Sequence, residues 1–411
     1  MSSNEQRAQP LRHVITMLVC LVLFVHTLHA QRDSTQRSSR DTATVQGSIY
    51  SRPFIATNSR VSVGGYVEGN TNYFVEDGLT DGFSMELRRF NIFLYAPLGP
   101  RLRFFSELEF EHGTEEISLE TAQIDLQITP AFALRMGIVL PPIGAFNQNH
   151  DSPRWEFIDR PLVSTRIIPS TLSDVGVGLY GRARPGRRTS ITYDAYLTNG
   201  LGDGIINNID GRTSLAAGKR TEQFAEDNNG SPALSGRVAV QRNGVGELGV
   251  SYYGAVYNRF RVDGARIDDP RRVTIAAVDF SLALGRLSVR GEIARVAVAL
   301  PHGLEELLAT RQQGAHVDVV LPVLRRSMLG LPNATISVAV RAEYVDFNVG
   351  RFASTGAPIR DDIVAFVPGL SLRANANTVF KANYRRHYTR DLLGNPATHR
   401  GGVQLGFASY F

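Results

Sequence analysis

The chain has almost no cysteine, very little lysine and no long apolar run beyond its first thirty residues. The single cysteine, Cys20, lies in a stretch that we predict to be removed, so the mature chain is expected to have no disulfide and no thiolate metal site. Only two of the 44 basic residues are lysines, Lys219 and Lys381, and the rest are arginines. Because about eighteen consecutive apolar residues are needed to cross a bilayer as a helix, we predict no helical membrane anchor in the mature chain.

Residues 1–30 have the features of a secretory signal peptide. Arg7 and Arg12 give a basic start, an apolar run follows over 14–25, and Ala30 offers a small residue for cleavage. Residues 31–59 are rich in Ser, Thr, Arg and Gln, and we predict a flexible segment there. Residues 60–411 are predicted to form one domain.

From residue 60 onward, apolar and polar residues alternate. In one stretch, Leu108 and Phe110 alternate with Glu107, Glu109 and Glu111. A period of two with one apolar face indicates a strand whose two faces meet different media. The last stretch shows the same period and ends on Phe411. Such an apolar edge strand would promote aggregation unless it paired with the first strand and closed a barrel.

The connections between these segments fall into two classes. Short Gly- and Pro-rich turns alternate with long connections, the arrangement of outer-membrane barrels. We therefore predict an all-β fold, a transmembrane antiparallel β-barrel of about 16 strands. A soluble propeller is disfavoured because no repeat of about 40 residues occurs, and a soluble sandwich because few strands are apolar on both faces.

The longest connections include 141–172, which contains the only tryptophan, Trp155, and five prolines. A connection of this length is rare unless it has a function. We hypothesise that it folds into the lumen of the barrel and sets the constriction; the alternative is a lid or a subunit contact outside. The candidate constriction residues are Arg135, Arg154, Arg160, Arg166, Glu156 and Asp159.

The strand period also predicts which charged side chains face the lumen. The basic ones are Arg89, Arg103, Arg182, Arg237, Arg290, Arg341, Arg373, Lys381 and Arg385. The acidic ones are Glu107, Glu109, Glu111, Asp125, Asp194, Glu292, Asp318 and Glu343. Two interpretations stay open with equal weight: an arginine ladder that favours anions, or ion pairs that brace a wet lumen and select weakly.

Motifs for chemistry are absent from the sequence. A Gly-x-Gly-x-x-Gly match at 176–181 lies within a predicted strand, whereas a dinucleotide site needs it at the start of a helix. The histidines lack metal-ligand spacing, and His150, Asp151 and Ser152 are adjacent in sequence, unlike the members of a triad. We predict no catalytic residue, no metal, no cofactor and no nucleic-acid partner.

Several short motifs resemble those of the phosphate-selective porin O and P family. They are Arg-Arg-Phe-Asn-Ile at 88–92, Gly-Ile-Val-Leu-Pro-Pro at 137–142, Phe-Ile-Asp-Arg-Pro at 157–161, Thr-Asn-Gly at 198–200, Ser-Gly-Arg-Val-Ala at 235–239, Gly-Val-Ser-Tyr-Tyr at 249–253 and the end at 406–411. The resemblance implies a trimeric sixteen-stranded barrel with an inward loop after the fifth strand. It also implies anion-favouring diffusion with basic constriction residues, which map onto Arg135, Arg154 and Arg160. The near absence of lysine departs from the family's pore.

The leading hypothesis is thus a porin of the bacterial outer membrane, surrounded by lipid and expected to be a homotrimer. It would pass small hydrophilic solutes, favouring anions, phosphate-like ones among them. The alternative is a plugged barrel that serves as a scaffold or receptor in a surface complex. An outer-membrane hydrolase would need a Ser or Asp beside a His at the outer rim, and the sequence offers no such pair.

Overall fold

The computed structural model describes residues 44–55, 60–219, 224–227, 229–305, 307–328 and 330–411. Within this part of the chain, sixteen of the eighteen strands form one closed antiparallel barrel, and β10 and β11 form a separate short hairpin. The prediction of an antiparallel barrel of about sixteen strands is confirmed. The strands are β1 (Ser62–Glu76), β2 (Phe83–Pro97), β3 (Leu102–Glu111), β4 (Glu116–Thr129), β5 (Phe132–Val139), β6 (Asp174–Ala183), β7 (Thr189–Thr198), β8 (Ala233–Arg242), β9 (Gly246–Val256), β10 (Arg261–Val262), β11 (Ala265–Arg266), β12 (Arg272–Leu284), β13 (Leu287–Val298), β14 (Arg311–Met328), β15 (Leu331–Asp346), β16 (Asp362–Arg373), β17 (Thr378–Arg390) and β18 (Thr398–Tyr410).

The first and last strands close the ring. β1 pairs with β18 in a register that sets Tyr66 opposite Tyr410, and the backbones of Gly65 and Phe411 exchange hydrogen bonds of 3.2 and 3.1 Å. The Phe411 ring stacks on Phe90 at 5.7 Å between centroids. The last strand therefore has no free edge, as the sequence predicted.

The two ends of the barrel differ. At one end, short turns join β2 to β3, β4 to β5, β6 to β7, β8 to β9, β12 to β13, β14 to β15 and β16 to β17. The first residue of β1, Ser62, and the last residue of β18, Tyr410, also lie at this end. At the other end lie the long connections, including 140–173 and 199–232. We call these the short-turn end and the long-loop end. No helix in the described ranges is long and apolar enough to cross a bilayer.

Exposure alternates along the strands between an apolar and a polar set. On β8, Leu234, Val238 and Val240 are exposed while Ser235 and Arg237 are buried. The barrel thus presents an apolar outer face and a polar interior, the inverse of a soluble protein. This is the distribution expected of a barrel whose outer face contacts hydrocarbon.

The N-terminal boundary of the fold differs from the prediction. The sequence predicted a flexible segment over 31–59, but the described part of it, 44–55, packs against the interior wall, with Ile49 and Arg52 buried. Ile49, Tyr50, Phe54 and Ile55 join the aromatic cluster on that wall, and the surrounding Ser, Thr and Arg residues masked this short apolar group. The predicted signal peptide, 1–30, lies outside the described residues.

Candidate functional site

The loop 141–172 contacts the buried face of strands all around the ring. Ser152 Oγ donates to Glu68 of β1 at 2.6 Å, and the Ala145 amide donates to Glu292 of β13 at 2.9 Å. The Leu162 amide donates to Glu343 of β15 at 2.7 Å. These three strands lie within one arc of the ring. The Gly144 amide also donates to Ser251 of β9 at 2.8 Å, and His150 lies 3.0 Å from Glu120 of β4, so the loop is held on the other side as well.

Apolar side chains anchor the second half of this loop. Val163, Ile167 and Ile168 are fully buried against a cluster that includes Ile275 of β12 and Val296 of β13. Their burial fixes the path of the loop more firmly than its polar contacts alone would, because each buried aliphatic side chain stabilises its position by about 1.5–3 kcal/mol.

The acidic residues of the loop bind basic residues of the wall. Glu156 accepts from Arg373 at 2.7 Å, and Asp159 accepts from Arg88 at 2.8 Å and from Arg385 at 3.2 Å. Burial opposes the charge of Asp159, but Arg385 and Arg88 outweigh it and hold the pKa of this carboxyl well below its usual range. The carboxylates therefore neutralise part of the basic wall.

Other arginines of the wall pair with acids one or two strands away in the ring. Arg135 binds Asp125 at 2.8 Å, Arg237 binds Asp279 at 2.6 Å, and Arg341 binds Asp318 through two bonds of 2.6 and 2.8 Å. Arg89 lies 2.9 Å from Glu68 and 2.6 Å from Glu111. Of the two interpretations that the sequence left open, the geometry favours ion pairs over a free arginine ladder.

The position of Tyr196, which binds Arg135, requires a glycine on the neighbouring strand. Gly178 of β6 faces Tyr196 of β7, and a Cβ at position 178 would lie 2.0 Å from the Tyr196 ring. The Tyr196 hydroxyl accepts a bond of 2.8 Å from Arg135. The glycine of the 176–181 motif thus leaves room for an aromatic side chain, and the motif lies inside a strand as predicted.

The predicted constriction residues do not form one cluster. Arg154 donates to Tyr410, Asn149 and the carbonyl of Ser48. Arg160 donates to Thr171 at 3.2 Å and lies 3.6 Å from Glu109. Arg166 is exposed, and Arg135 lies on β5 in its own ion pair.

Three of the predicted wall cations have no carboxylate oxygen within 4.0 Å among the ion pairs of the described residues. Lys381 donates to the carbonyls of Ser152 and Phe157 at 3.0 Å each. Arg103 donates to the Tyr180 hydroxyl at 3.1 Å, and Arg182 donates to Thr44 at 2.5 Å. Arg290 lies over the Trp155 ring at 4.9 Å and 3.6 Å from Glu156.

A buried cluster of charges, which the sequence did not predict, surrounds His150. His150 Nε2 lies 3.0 Å from Glu120 and 3.7 Å from Glu107. Potential ligand atoms of Glu107, His150 and Asp151 lie within 4.8 Å of one another. However, the Arg52 guanidinium contacts both Asp151, at 2.8 Å, and Glu107, at 3.2 Å. A guanidinium thus supplies the positive charge that a metal would bring to these carboxylates.

Neighbouring residues in the sequence do not act together in this cluster. Ser152 Oγ donates to Glu68, His150 binds Glu120, and Asp151 binds Arg52. The three adjacent residues 150–152 therefore point to three different partners. Only the spacing of Glu107 on the polar face of β3 could have indicated this cluster from the sequence.

The charge of His150 makes stability depend on pH. Burial lowers its pKa, but Glu120 and Glu107 outweigh burial and raise the pKa from 6.5 to about 10. Because the folded value lies above the unfolded one, this stabilisation is complete below about pH 6.5 and is lost as the pH rises through about 10. The neighbouring Asp151 stays ionised throughout this window, because Arg52 outweighs burial and lowers the pKa of its carboxyl.

We therefore expect the thermal unfolding temperature of the wild-type barrel to fall between about pH 7 and pH 10. In His150→Gln this contribution is missing, so the fall should be smaller, although the variant starts from a lower stability. Circular dichroism melts of both proteins in the same detergent measure the two slopes. Equal slopes would show that His150 does not carry the proton assigned to it.

Comparisons with known proteins bear on the fold. No family model matches the chain. An uncharacterized protein of Aquifex aeolicus is 34% identical over 148 residues, which is 34% of this chain and 32% of that protein. The match thus spans about a third of the length of the relative.

Solved structures of outer-membrane barrels match most of the chain. Salmonella typhi OmpF in complex with daunomycin superposes with a TM-score of 0.54 at 11% identity, over 85% of this chain and 97% of that one. A loop L8 deletion mutant of OmpT, an outer membrane protein of Vibrio cholerae, gives 0.52 at 11% identity, over 86% and 100%. Pseudomonas putida OprB gives 0.52 at 8% identity, over 86% and 94%. The chain therefore has the sixteen-stranded barrel fold of outer-membrane porins, and its apolar outer face places it in a bacterial outer membrane.

Proposed function

We propose that the protein is an outer-membrane porin, a passive diffusion channel for small hydrophilic solutes, without catalytic activity. One observation supports this most strongly: the closed barrel is apolar outside and lined by charged and polar side chains inside. A charged wall keeps an interior wet and admits hydrophilic solutes while lipid-like molecules stay outside. We further propose that the loop 141–172 lies in the lumen and narrows it, and that the barrel assembles as a homotrimer.

The channel should favour anions only weakly. Most wall arginines have carboxylate partners, and ion pairs leave little field to select ions. The cations without such partners, Arg103, Arg182 and Lys381, all lie near the short-turn end of their strands and supply a modest positive potential there. Selective binding of phosphate is not part of the proposal, because the arginines that would bind it bidentately already bind carboxylates.

Planar-bilayer recording in a salt gradient tests this proposal. The wild type should conduct, with a reversal potential shifted slightly from zero toward the equilibrium potential of chloride. Arg160→Glu and Arg154→Glu should each shift that potential toward cations, because both residues lie on the loop assigned to the constriction. Arg187→Glu changes the net charge equally at an exposed position in a short turn and should leave the potential unchanged.

A wild-type reversal potential that indicates cation preference would contradict the proposed anion preference. The proposal that the protein is a channel would stand. Equal potentials for Arg160→Glu and the control would place the constriction elsewhere.

A second candidate is a plugged barrel that acts as a scaffold or receptor. The observation in its favour is the burial of much of the loop 141–172, with Ile143, Asn147 and His150 almost inaccessible, and of Ile49 and Arg52 in the segment 44–55. Such a barrel would show no conductance in the same recordings and would co-purify with a stable partner protein.

A further inference from the structure

The segment 44–55, which we call the inner strap, runs along half of the interior ring. The Val45 amide donates to Glu247 of β9 at 3.1 Å, Gln46 donates to Asp194 of β7 at 3.0 Å, and the Tyr50 hydroxyl donates to Asp125 of β4 at 2.5 Å. β9 lies directly across the ring from β1, the strand that the strap leads into. The strap therefore follows the interior wall over about half of the ring.

These contacts lie toward the short-turn end. Glu247 is the second residue of β9 after a short turn, Asp125 lies near the end of β4, and Tyr95 and Phe105 flank the turn between β2 and β3. The rings of Tyr95 and Phe105 both meet the ring of Tyr50, at 6.1 and 6.4 Å. In outer-membrane barrels the short turns face the periplasm, so the strap lies at the periplasmic end of the interior.

The wall beneath the strap is aromatic, which a water-filled lumen does not explain. Tyr66, Phe93, Tyr95 and Phe105 occupy interior positions where the strand period otherwise places polar residues, and they form a buried cluster with Ile49. Phe54 stacks on Phe93 at 5.3 Å. Without the strap these rings would line the solute path and face water, so the wall is built to hold an apolar segment.

Arg52 fastens the strap to the loop 141–172. Its guanidinium makes two bonds to Asp151, at 2.9 and 2.8 Å, and one to Glu107 at 3.2 Å. It also lies over the Phe93 ring at 4.0 Å and the Phe105 ring at 4.8 Å. The Ser48 hydroxyl adds a bond of 2.9 Å to the carbonyl of Gln148.

The strap is nevertheless not part of the barrel sheet. Within the described residues, the backbone-to-backbone hydrogen bonds of 44–55 join residues of the strap to one another. Its bonds to the wall and the loop all involve a side chain. Its removal would therefore leave every barrel strand paired as before.

We infer that the inner strap is an internal gate: it narrows the periplasmic half of the lumen, and the contacts of Arg52 with Asp151 and Glu107 hold it in this position. This inference rests on the proposed channel function. It makes the strap, and not only the loop 141–172, a determinant of conductance. In this inference, Arg52 holds the inner strap and the loop 141–172 together.

Single-channel recording tests the gate with three variants of the full chain. Deletion of 44–55 should raise the conductance severalfold because it removes one of the two segments that fill the periplasmic half of the interior. Arg52→Ala should give intermediate conductance or frequent transitions to the larger level. Arg60→Ala, an exposed arginine just beyond the strap, is the matched control and should behave as the wild type.

A thiol measurement covers the case in which the deletion variant does not fold. The mature chain is expected to have no cysteine, so Ser48→Cys would introduce the only thiol, at a buried position. A water-soluble maleimide should label it slowly in the wild-type background and many times faster with Arg52→Ala. Equal labelling rates in the two backgrounds would show that Arg52 does not hold the strap and would contradict the role inferred for it.

The recordings also separate this inference from the proposed function. If the wild type and the deletion variant conduct equally, the inference of a gate is wrong and the proposed porin function is supported. If neither conducts, both are wrong. If only the deletion variant conducts, the gate is supported and the resting wild type is closed.

Discussion

Replacing Asp125 with alanine is expected to destabilise the barrel by about 3–5 kcal/mol, the range for removing one partner of a buried ion pair. Asp125 is fully buried and Arg135 is 2% exposed, and two bonds of 2.8 Å join them. The Tyr50 and Tyr180 hydroxyls donate to the same carboxylate at 2.5 and 2.6 Å. The substitution therefore leaves a buried guanidinium and two hydroxyls without their acceptor.

Equilibrium unfolding in urea, in vesicles, measures this free energy. The matched control is Asp269→Ala, which breaks the exposed pair with Arg266 and should change stability very little, because exposed ion pairs contribute little. Asp125→Ala combined with Arg135→Met should recover part of the loss, since it removes the buried charge as well. A double variant as unstable as the single one would show that the packing, and not the unpaired charge, dominates.

Replacing Val238 with arginine is expected to destabilise the folded barrel by about 2–4 kcal/mol, the range for a cation at the middle of the lipid-facing surface. Val238 is 55% exposed and lies near the centre of β8. Leu284→Arg is the control, because Leu284 is 48% exposed but ends β12 at the short-turn end. Near the interface the same change should have an effect of only about 0–1 kcal/mol.

Both variants can be compared by unfolding from vesicles of the same lipid. A large difference between positions 238 and 284 supports an outer face that crosses hydrocarbon. Equal and small effects at both positions would contradict the membrane-spanning assignment, because only a depth-dependent medium separates the two sites.

The barrel could be predicted from the sequence because its cause is local. A period of two is visible within a single strand, as in Leu108 and Phe110 against Glu107 and Glu109, and it repeats in most strands. The closing role of the last strand follows from the same pattern, since an apolar strand that ends at Phe411 needs a partner on each side.

The interior could not be predicted in the same way. Which carboxylate meets which guanidinium depends on the path of the loop 141–172, so the pairing of Asp159 with Arg88 and Arg385 has no signature in any one segment. The inner strap was missed because Ile49, Tyr50 and Phe54 are few among polar neighbours. The available signals were aromatic residues on the interior faces of the first strands, such as Phe105 on the charged face of β3 and Phe93 on β2, which indicate an apolar partner inside.

The seam between β1 and β18 has a consequence for how the molecule folds. It joins residues near opposite ends of the chain, such as Thr71 and Leu405, which are separated by 334 positions. Contacts between such distant residues form slowly, because a long stretch of chain must be ordered before they stabilise anything. The loop 141–172 binds early strands, through Glu68 of β1 and Glu120 of β4, as well as β15, β17 and β18 near the end of the chain. Part of its contacts can therefore form before the seam closes. We therefore expect the barrel to close around a loop 141–172 that already contacts other strands, with pairing of β1 and β18 as the slow step of folding.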